Sequence, residues 1–158
     1  MKRGTKSCDK FAAGGGTYSL LLSMWESQRL QIGKLGKFDF PRGWYVYTGS
    51  ALGGLSARLK RHLRPEKRLH WHIDYLLQVA DIEEVWYTQG TERLECTWNG
   101  MIAALPGARP YIRGFGSSDC RCHSHLTFFI SRPSFDMFRK RCNDIKIPPP
   151  VQTRTMHH

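Results

Sequence analysis

Apolar positions along this chain follow two rhythms. Thr17–Met24 (TYSLLLSM) and Trp44–Gly49 (WYVYTG) are apolar and β-rich, which predicts two strands. Alternation places Tyr18, Leu20 and Leu22 on one face of the first, and Tyr45, Tyr47 and Gly49 on one face of the second. Arg29–Gly33 follows the first strand at hairpin distance, and Gly33–Gly43, with its GKLG and FPRG, reads as a loop or ribbon. At Gly54–Leu63 the period becomes helical, with Leu55, Leu59 and Leu63 in one stripe and Pro65 stopping the helix. A second helical segment begins at His72–Val79, a strand follows at Glu83–Thr88, and Thr91–Leu105 repeats the helical pattern through Leu94, Trp98, Met101, Ile102 and Leu105. Leu126–Ser131 reads as a strand, and Pro133 opens a last helix through about Cys142. This order predicts an α/β (α+β) fold: a small, partly antiparallel central sheet flanked by helices.

Composition narrows the class. With 158 residues and 41% apolar residues, the chain can bury one core of ordinary size, which excludes disordered and fibrous classes. The expected division is a flexible basic tail over 1–14, a single domain over 15–145 and a Pro-containing tail over 146–158. The near-apolar run at Tyr18–Met24 falls short of a membrane span, and the basic N-terminus lacks the apolar stretch of a secretory signal. Five cysteines, two of them Cys120 and Cys122, argue for thiols in a reducing compartment, hence the cytosol.

Charge adds a partner class. Lys and Arg number 24 against 13 Asp and Glu, a formal net charge of +11, which favours nucleic acid over a membrane surface. The excess is segregated: Arg58, Lys60, Arg61, Arg64, Lys67 and Arg68 are basic, whereas Asp74–Glu95 is mostly acidic. On a helical projection Lys60, Arg61 and Arg64 face water, while Arg58 and His62 lie together at the edge of the apolar stripe. An arginine there either lays its stem over apolar surface with its head in water or points into a cleft. Glu95 sits at the margin of its helix beside Ile102, either as a partner of the helix dipole or as a metal ligand at the rim of the core.

The order of these residues resembles a known superfamily. Gly16-Thr17-Tyr18 opening a strand, Tyr47-Thr48-Gly49 ending another, a helix with Arg58 and His62, and a later helical Glu95 are similar to the GIY-YIG endonucleases. The stretches GTYSLLL, GWYVYTGSALGGLSARLKRHLR, HWHIDYLL, RLEC and LPGARPYIRGFGSSDCRCHSHL resemble a subgroup of unknown function there, sometimes fused to endonuclease III-like DNA glycosylases. Thr17 and Thr48 stand where aliphatic residues are usual, Ser50 stands where repair nucleases carry Lys, and a ribbon such as Gln28–Gly43 separates the two motifs. The resemblance implies a metal-dependent endonuclease that hydrolyses DNA phosphodiesters in repair or processing. In that reading Glu95 holds Mg²⁺ or Mn²⁺, Tyr18 accepts a proton from the attacking water, and Tyr47 orients that water or the phosphate. Arg58 holds the scissile phosphate and His62 assists proton transfer. Lys60, Arg61, Arg64, Lys67 and Arg68 would track the DNA backbone, and a glycosylase or other repair protein is an implied partner. The alternatives are a non-catalytic nucleic-acid-binding module of the same fold, and a zinc- or thiol-based protein.

That last alternative comes from Asp119-Cys120-Arg121-Cys122-His123-Ser124-His125, which is dense in soft donors. With Cys96, Cys120, Cys122 and His125 make a candidate Zn²⁺ set, although C-x-C-H-x-H is not a familiar zinc spacing. The other reading is of small buried cysteines and a hydrogen-bonding histidine. His70 and His72, flanking Trp71, are expected to shape a cleft or cap a helix, and His157 and His158 belong to the tail.

Overall fold

The computed structural model describes residues 14–148 and 150–154. The basic N-terminal tail up to residue 13, with Cys8, lies outside the described residues, as do His157 and His158.

The architecture follows from one strand. β1 (Gly16–Met24) carries only small or apolar side chains or hydroxyls, Tyr18 included, and is buried along its whole length. A strand covered on both faces belongs in the middle of a sheet. It pairs with β4 (Gly43–Ala51) on one side and β5 (Asp81–Gln89) on the other. With β6 (Arg109–Pro110), β7 (Leu126–Phe129) and β8 (Val151–Arg154), the order is β6-β7-β4-β1-β5-β8, and every pairing is antiparallel. Four helices among the described residues flank it: α1 (Leu55–Leu63), α2 (His72–Leu76), α3 (Glu95–Ala103) and α4 (Phe135–Asp144). The fold is mixed α/β, as the hydrophobic pattern predicts.

Alternation on β1 divides the core. Tyr18, Leu20 and Leu22 join Tyr45 and Tyr47 of β4, Leu55 and Leu59 of α1, and Ile73 and Leu76 of α2 in one layer. Leu21 joins Val46, Trp86, Trp98 and Ile102 of α3, and Phe138 of α4 in the other. Arg64 ends α1 in extended conformation (φ −72°, ψ 130°), because the ring of Pro65 crowds a helical residue before it. The Ser134 hydroxyl caps α4 by accepting from the Met137 N–H at 3.2 Å.

The structure corrects several boundaries. Arg29–Gly33 is not a hairpin partner of β1: β2 (Gln28–Ile32) pairs with β3 (Gly36–Phe40) as a separate two-stranded ribbon. α3 begins four residues later than its periodicity suggests, so Glu95 is its first residue rather than an interior one. The C-terminal stretch expected to be an extended tail joins the sheet as β8. Buried Glu84 of β5 fastens that end: it accepts from Trp86 Nε1 at 2.9 Å and Gln152 Nε2 at 2.5 Å, and pairs with Arg132. Burial alone would raise the Glu84 carboxyl, but these donors outweigh it and hold it below the usual carboxylate range.

Candidate functional site

The start of β1, the end of β4 and the end of β5 lie together, as the register Tyr18↔Gly49 and Tyr18↔Tyr87 requires. α1 and α3 start from that end, so the first turn of each contributes side chains beside it. The result is a cleft of about 610 Å³ whose wall includes Tyr47, Gly49, Arg58, Trp71, Glu95 and His125.

Arg58, partly exposed in the cleft, is held from two sides. Its Nη1 donates to the Ser50 carbonyl at 2.9 Å, and its guanidinium lies 4.4 Å from the centre of the Trp71 ring. The same ring carries the Arg61 guanidinium at 4.3 Å. Trp71 in turn is fixed by Asp74, whose Oδ2 accepts from the backbone N–H groups of His70 and Trp71, both at 2.8 Å. Asp74 also takes Arg61 through two bonds of 2.8 and 2.9 Å. Burial would raise the Asp74 carboxyl, but Arg61 and the two N–H groups win and hold it below its ordinary value.

Behind this wall stands a buried pair. Tyr18, fully buried, shares a 2.7 Å hydrogen bond between its hydroxyl and His62 Nε2. The Tyr47 ring lies 6.4 Å from both rings and reaches the cleft. Burial pushes the Tyr18 phenol up to about 12, with Arg58 pulling it partly back, and holds Tyr47 well above its usual range. Burial, with Lys67 and Arg58 nearby, drops His62 to about 3. At neutral pH the pair is therefore a protonated phenol and a neutral imidazole. Tyr18 and His62, to which the resemblance gives proton-transfer roles, are buried directly behind the cleft wall rather than in it.

Glycine makes this pair possible. A Cβ on Gly49 would lie 2.6 Å from the Tyr18 hydroxyl oxygen and 2.7 Å from its Cζ, because the two residues face each other across β1 and β4. Gly49→Ala should therefore cost roughly 1–3 kcal/mol by forcing a buried, bonded ring aside. Denaturant melts would check this, and the penalty should shrink in a Tyr18→Phe background, where the hydroxyl is gone. A Gly49→Ala protein as stable as wild type would contradict the clash, and equal penalties in both backgrounds would assign it to the ring rather than the hydroxyl.

Glu95 reaches the cleft from the other layer, at the first turn of α3. Its side chain is 30% exposed, and one oxygen, Oε2, contacts His125 Nδ1 at 2.8 Å. On its far side His125 meets the cysteines: Cys96, Cys120, Cys122 and His125 place one donor atom each within 4.8 Å of one another. The four could hold a metal ion such as zinc.

The remaining basic residues divide. Lys60, Arg64 and Arg68 are exposed. Arg61 does not face water: its side chain is 20% exposed, because Asp74 and the Arg68 carbonyl hold it against Trp71. Lys67 is half-buried and donates to the His62 carbonyl at 2.9 Å, which fastens the loop after α1. His70 and His72 line the cleft as expected, His72 accepting from the Gly116 N–H at 2.9 Å. Trp71 and Asp74 are cleft-building residues that the sequence reading does not single out. The available signal was an aspartate three residues after the N-cap position Trp71, the place from which a carboxylate caps a helix.

The family described as Domain of unknown function DUF123 matches residues 17–146. The chain belongs to that family. The match takes in every cleft residue named above, so the cleft is part of the DUF123 domain and not of an appended segment. No curated protein and no solved structure matches the chain. Among the described residues, no helix of this DUF123 protein is long and apolar enough to cross a membrane.

Proposed function

We propose that this DUF123 domain is a GIY-YIG-like endonuclease that hydrolyses DNA phosphodiesters with Mg²⁺ or Mn²⁺, acting in the cytoplasm in repair or processing, with a glycosylase or other repair protein as a partner. One observation carries the reading: Tyr47, Arg58 and Glu95 line a single cleft although they come from a strand and two helices in different layers, with the Tyr18–His62 pair directly behind.

Each residue's part follows from its surroundings. Glu95 fits a hard cation, since it is a partly exposed carboxylate with only one oxygen engaged by His125, and Mg²⁺ binds through one or two carboxylates plus water and substrate phosphate. Such an ion, when bound, would polarise the phosphate and favour hydroxide over water. Arg58, held in place by Ser50 and Trp71, presents the rest of its fork to a phosphate oxygen. Tyr47 is protonated and acts as a hydrogen-bond donor that orients water or phosphate. Tyr18 holds its proton in the free protein, so acting as a base toward water requires it first to lose that proton to solvent under the positive field of Arg58 and the ion. His62, held neutral at about 3, accepts the phenol hydrogen bond at 2.7 Å and orients the hydroxyl. Lys60, Arg64 and Arg68 supply sequence-blind attraction to the backbone.

Supercoiled plasmid and branched DNA incubated with Mg²⁺ or Mn²⁺ should be cut by the wild type and left intact by Glu95→Gln. A wild-type protein that binds these DNAs in a salt-dependent way and cuts none would replace this reading with a non-catalytic nucleic-acid-binding module.

A further inference from the structure

The soft donors of this domain come together from separate parts of the chain. Cys96 is the second residue of α3, whereas Cys120, Cys122 and His125 lie in the segment leading into β7. His125 Nε2 is 3.3 Å from Cys120 Sγ and 3.9 Å from Cys96 Sγ. Bonds of about 2.3 Å to sulfur and about 2.0 Å to nitrogen place the ligands of a tetrahedral zinc roughly 3.5–3.8 Å apart. The cluster is already at that scale. Three thiols and an imidazole select a soft or borderline ion over Mg²⁺, and four protein donors leave no open position for a substrate.

The other edge of the imidazole separates this cluster from accidental crowding. His125 is buried, and its Nδ1 meets Glu95 Oε2 at 2.8 Å while its Nε2 faces the sulfurs. A carboxylate commonly stands in this place beyond a ligating histidine, where an Nδ1–H···O bond puts the ring proton on the outer nitrogen and aims the lone pair of the inner one. Here Glu95 is at the right distance, but its 2.8 Å approach is too oblique to be that bond as it stands. The backbone is fixed as well: the His125 N–H donates to the Phe115 carbonyl at 2.8 Å, and its carbonyl accepts from the Thr48 N–H at 3.1 Å. The histidine is thus tied to the end of β4, beside Tyr47 and Gly49.

We propose that Cys96, Cys120, Cys122 and His125 bind a structural zinc ion, and that through His125 this ion sets the position of the Glu95 carboxylate in the cleft. The zinc site stands on its own; the consequence for catalysis rests on the nuclease reading. Glu95 then serves two centres, with Oε2 on the zinc-bound histidine and its other oxygen toward the cleft. The ion also ties the first turn of α3 to the segment before β7, two parts of the cleft wall otherwise far apart in sequence.

Protein made without an added histidine tag should contain one zinc per chain by elemental mass spectrometry, or take up one on reconstitution. Cobalt substitution should give the intense visible bands of a tetrahedral ion together with thiolate-to-cobalt charge transfer. Cys120→Ser with Cys122→Ser should abolish both signals. In chelator competition, Glu95→Gln should bind zinc about 10–100-fold more weakly while keeping the tetrahedral cobalt spectrum. Substoichiometric zinc after reconstitution, or an octahedral cobalt spectrum, would overturn the site. Unchanged zinc affinity in Glu95→Gln would overturn the link to the cleft. These readouts register metal and not cleavage, so a protein that loads zinc and cuts no DNA would support the site while sinking the nuclease reading.

Discussion

Replacing Arg58 with alanine should slow DNA cleavage by roughly 10²–10³-fold and leave the fold in place, the size expected for losing one preorganised donor to transition-state charge. The argument is geometric. A long, flexible side chain would lose rotamer freedom on gripping a phosphate, but Arg58 has largely lost it already: Ser50 holds one nitrogen and Trp71 supports the guanidinium plane. Arg58 is partly exposed, so truncation opens no large cavity. Arg58→Lys should recover only a small part of the rate, since an ammonium can neither fork nor stack in this position. DNA affinity should fall much less than rate, because Lys60, Arg64 and Arg68 still meet the backbone, and the salt dependence should drop by about one phosphate contact. Single-turnover cleavage and binding titrations over a salt series would separate the two effects. Cleavage by Arg58→Ala at the wild-type rate would sink the role given to this residue.

How much of this could be read from the chain depends on the range of the interaction. Tyr18, Tyr47 and Gly49 could be assigned to faces because strand alternation is a local property. Arg58 and His62 could be set at the edge of the Leu55–Leu59 stripe because helical period is local too. What the pattern could not supply is which element each face meets. Arg61 looks solvated on a helical projection, yet Asp74, thirteen residues on, captures it. His62 looks like a margin residue and is buried, packed among the rings of Tyr18, Tyr47 and Trp71, the last 6.0 Å away. β2 looks like a partner for β1 by sequence distance, but β1 already has β4 and β5 on its two edges. β8 had no apolar alternation to announce it, being a short edge strand after prolines. The Cys/His segment was visible as composition; the contact of His125 with Glu95, which gives that segment a relation to the cleft, is a tertiary fact.

Acid should destabilise this domain from about pH 6.5 downward, well before its carboxylates titrate, with His62 as the main cause. A histidine held neutral in the fold at about 3 binds no proton there over a range in which the unfolded chain does. Its contribution is therefore flat above the unfolded value near 6.5, and stability is lost as pH falls from there to the folded value. At 1.36 kcal/mol per unit the loss is roughly 2–3 kcal/mol by pH 4.5, a sizeable share of the stability of an ordinary domain. The groups around the ring explain the direction. Burial acts first, Lys67, Arg58 and Arg61 add positive charge, and Asp74 opposes them without prevailing. The carboxylates behave differently: Asp74 and Glu84, both held below their ordinary values, contribute stability above those values and lose it only at lower pH. His72, lowered by burial, adds to the His62 effect. The difference between wild type and His62→Gln isolates the one residue. Denaturant melts from pH 7.5 to 4.5 should show a steep slope in wild type that flattens in the variant, even though the variant is less stable at neutral pH for lack of the Tyr18–imidazole bond. Parallel curves would show that His62 takes up its proton in the folded protein, and the neutral Tyr18–His62 pair behind the cleft would have to be abandoned.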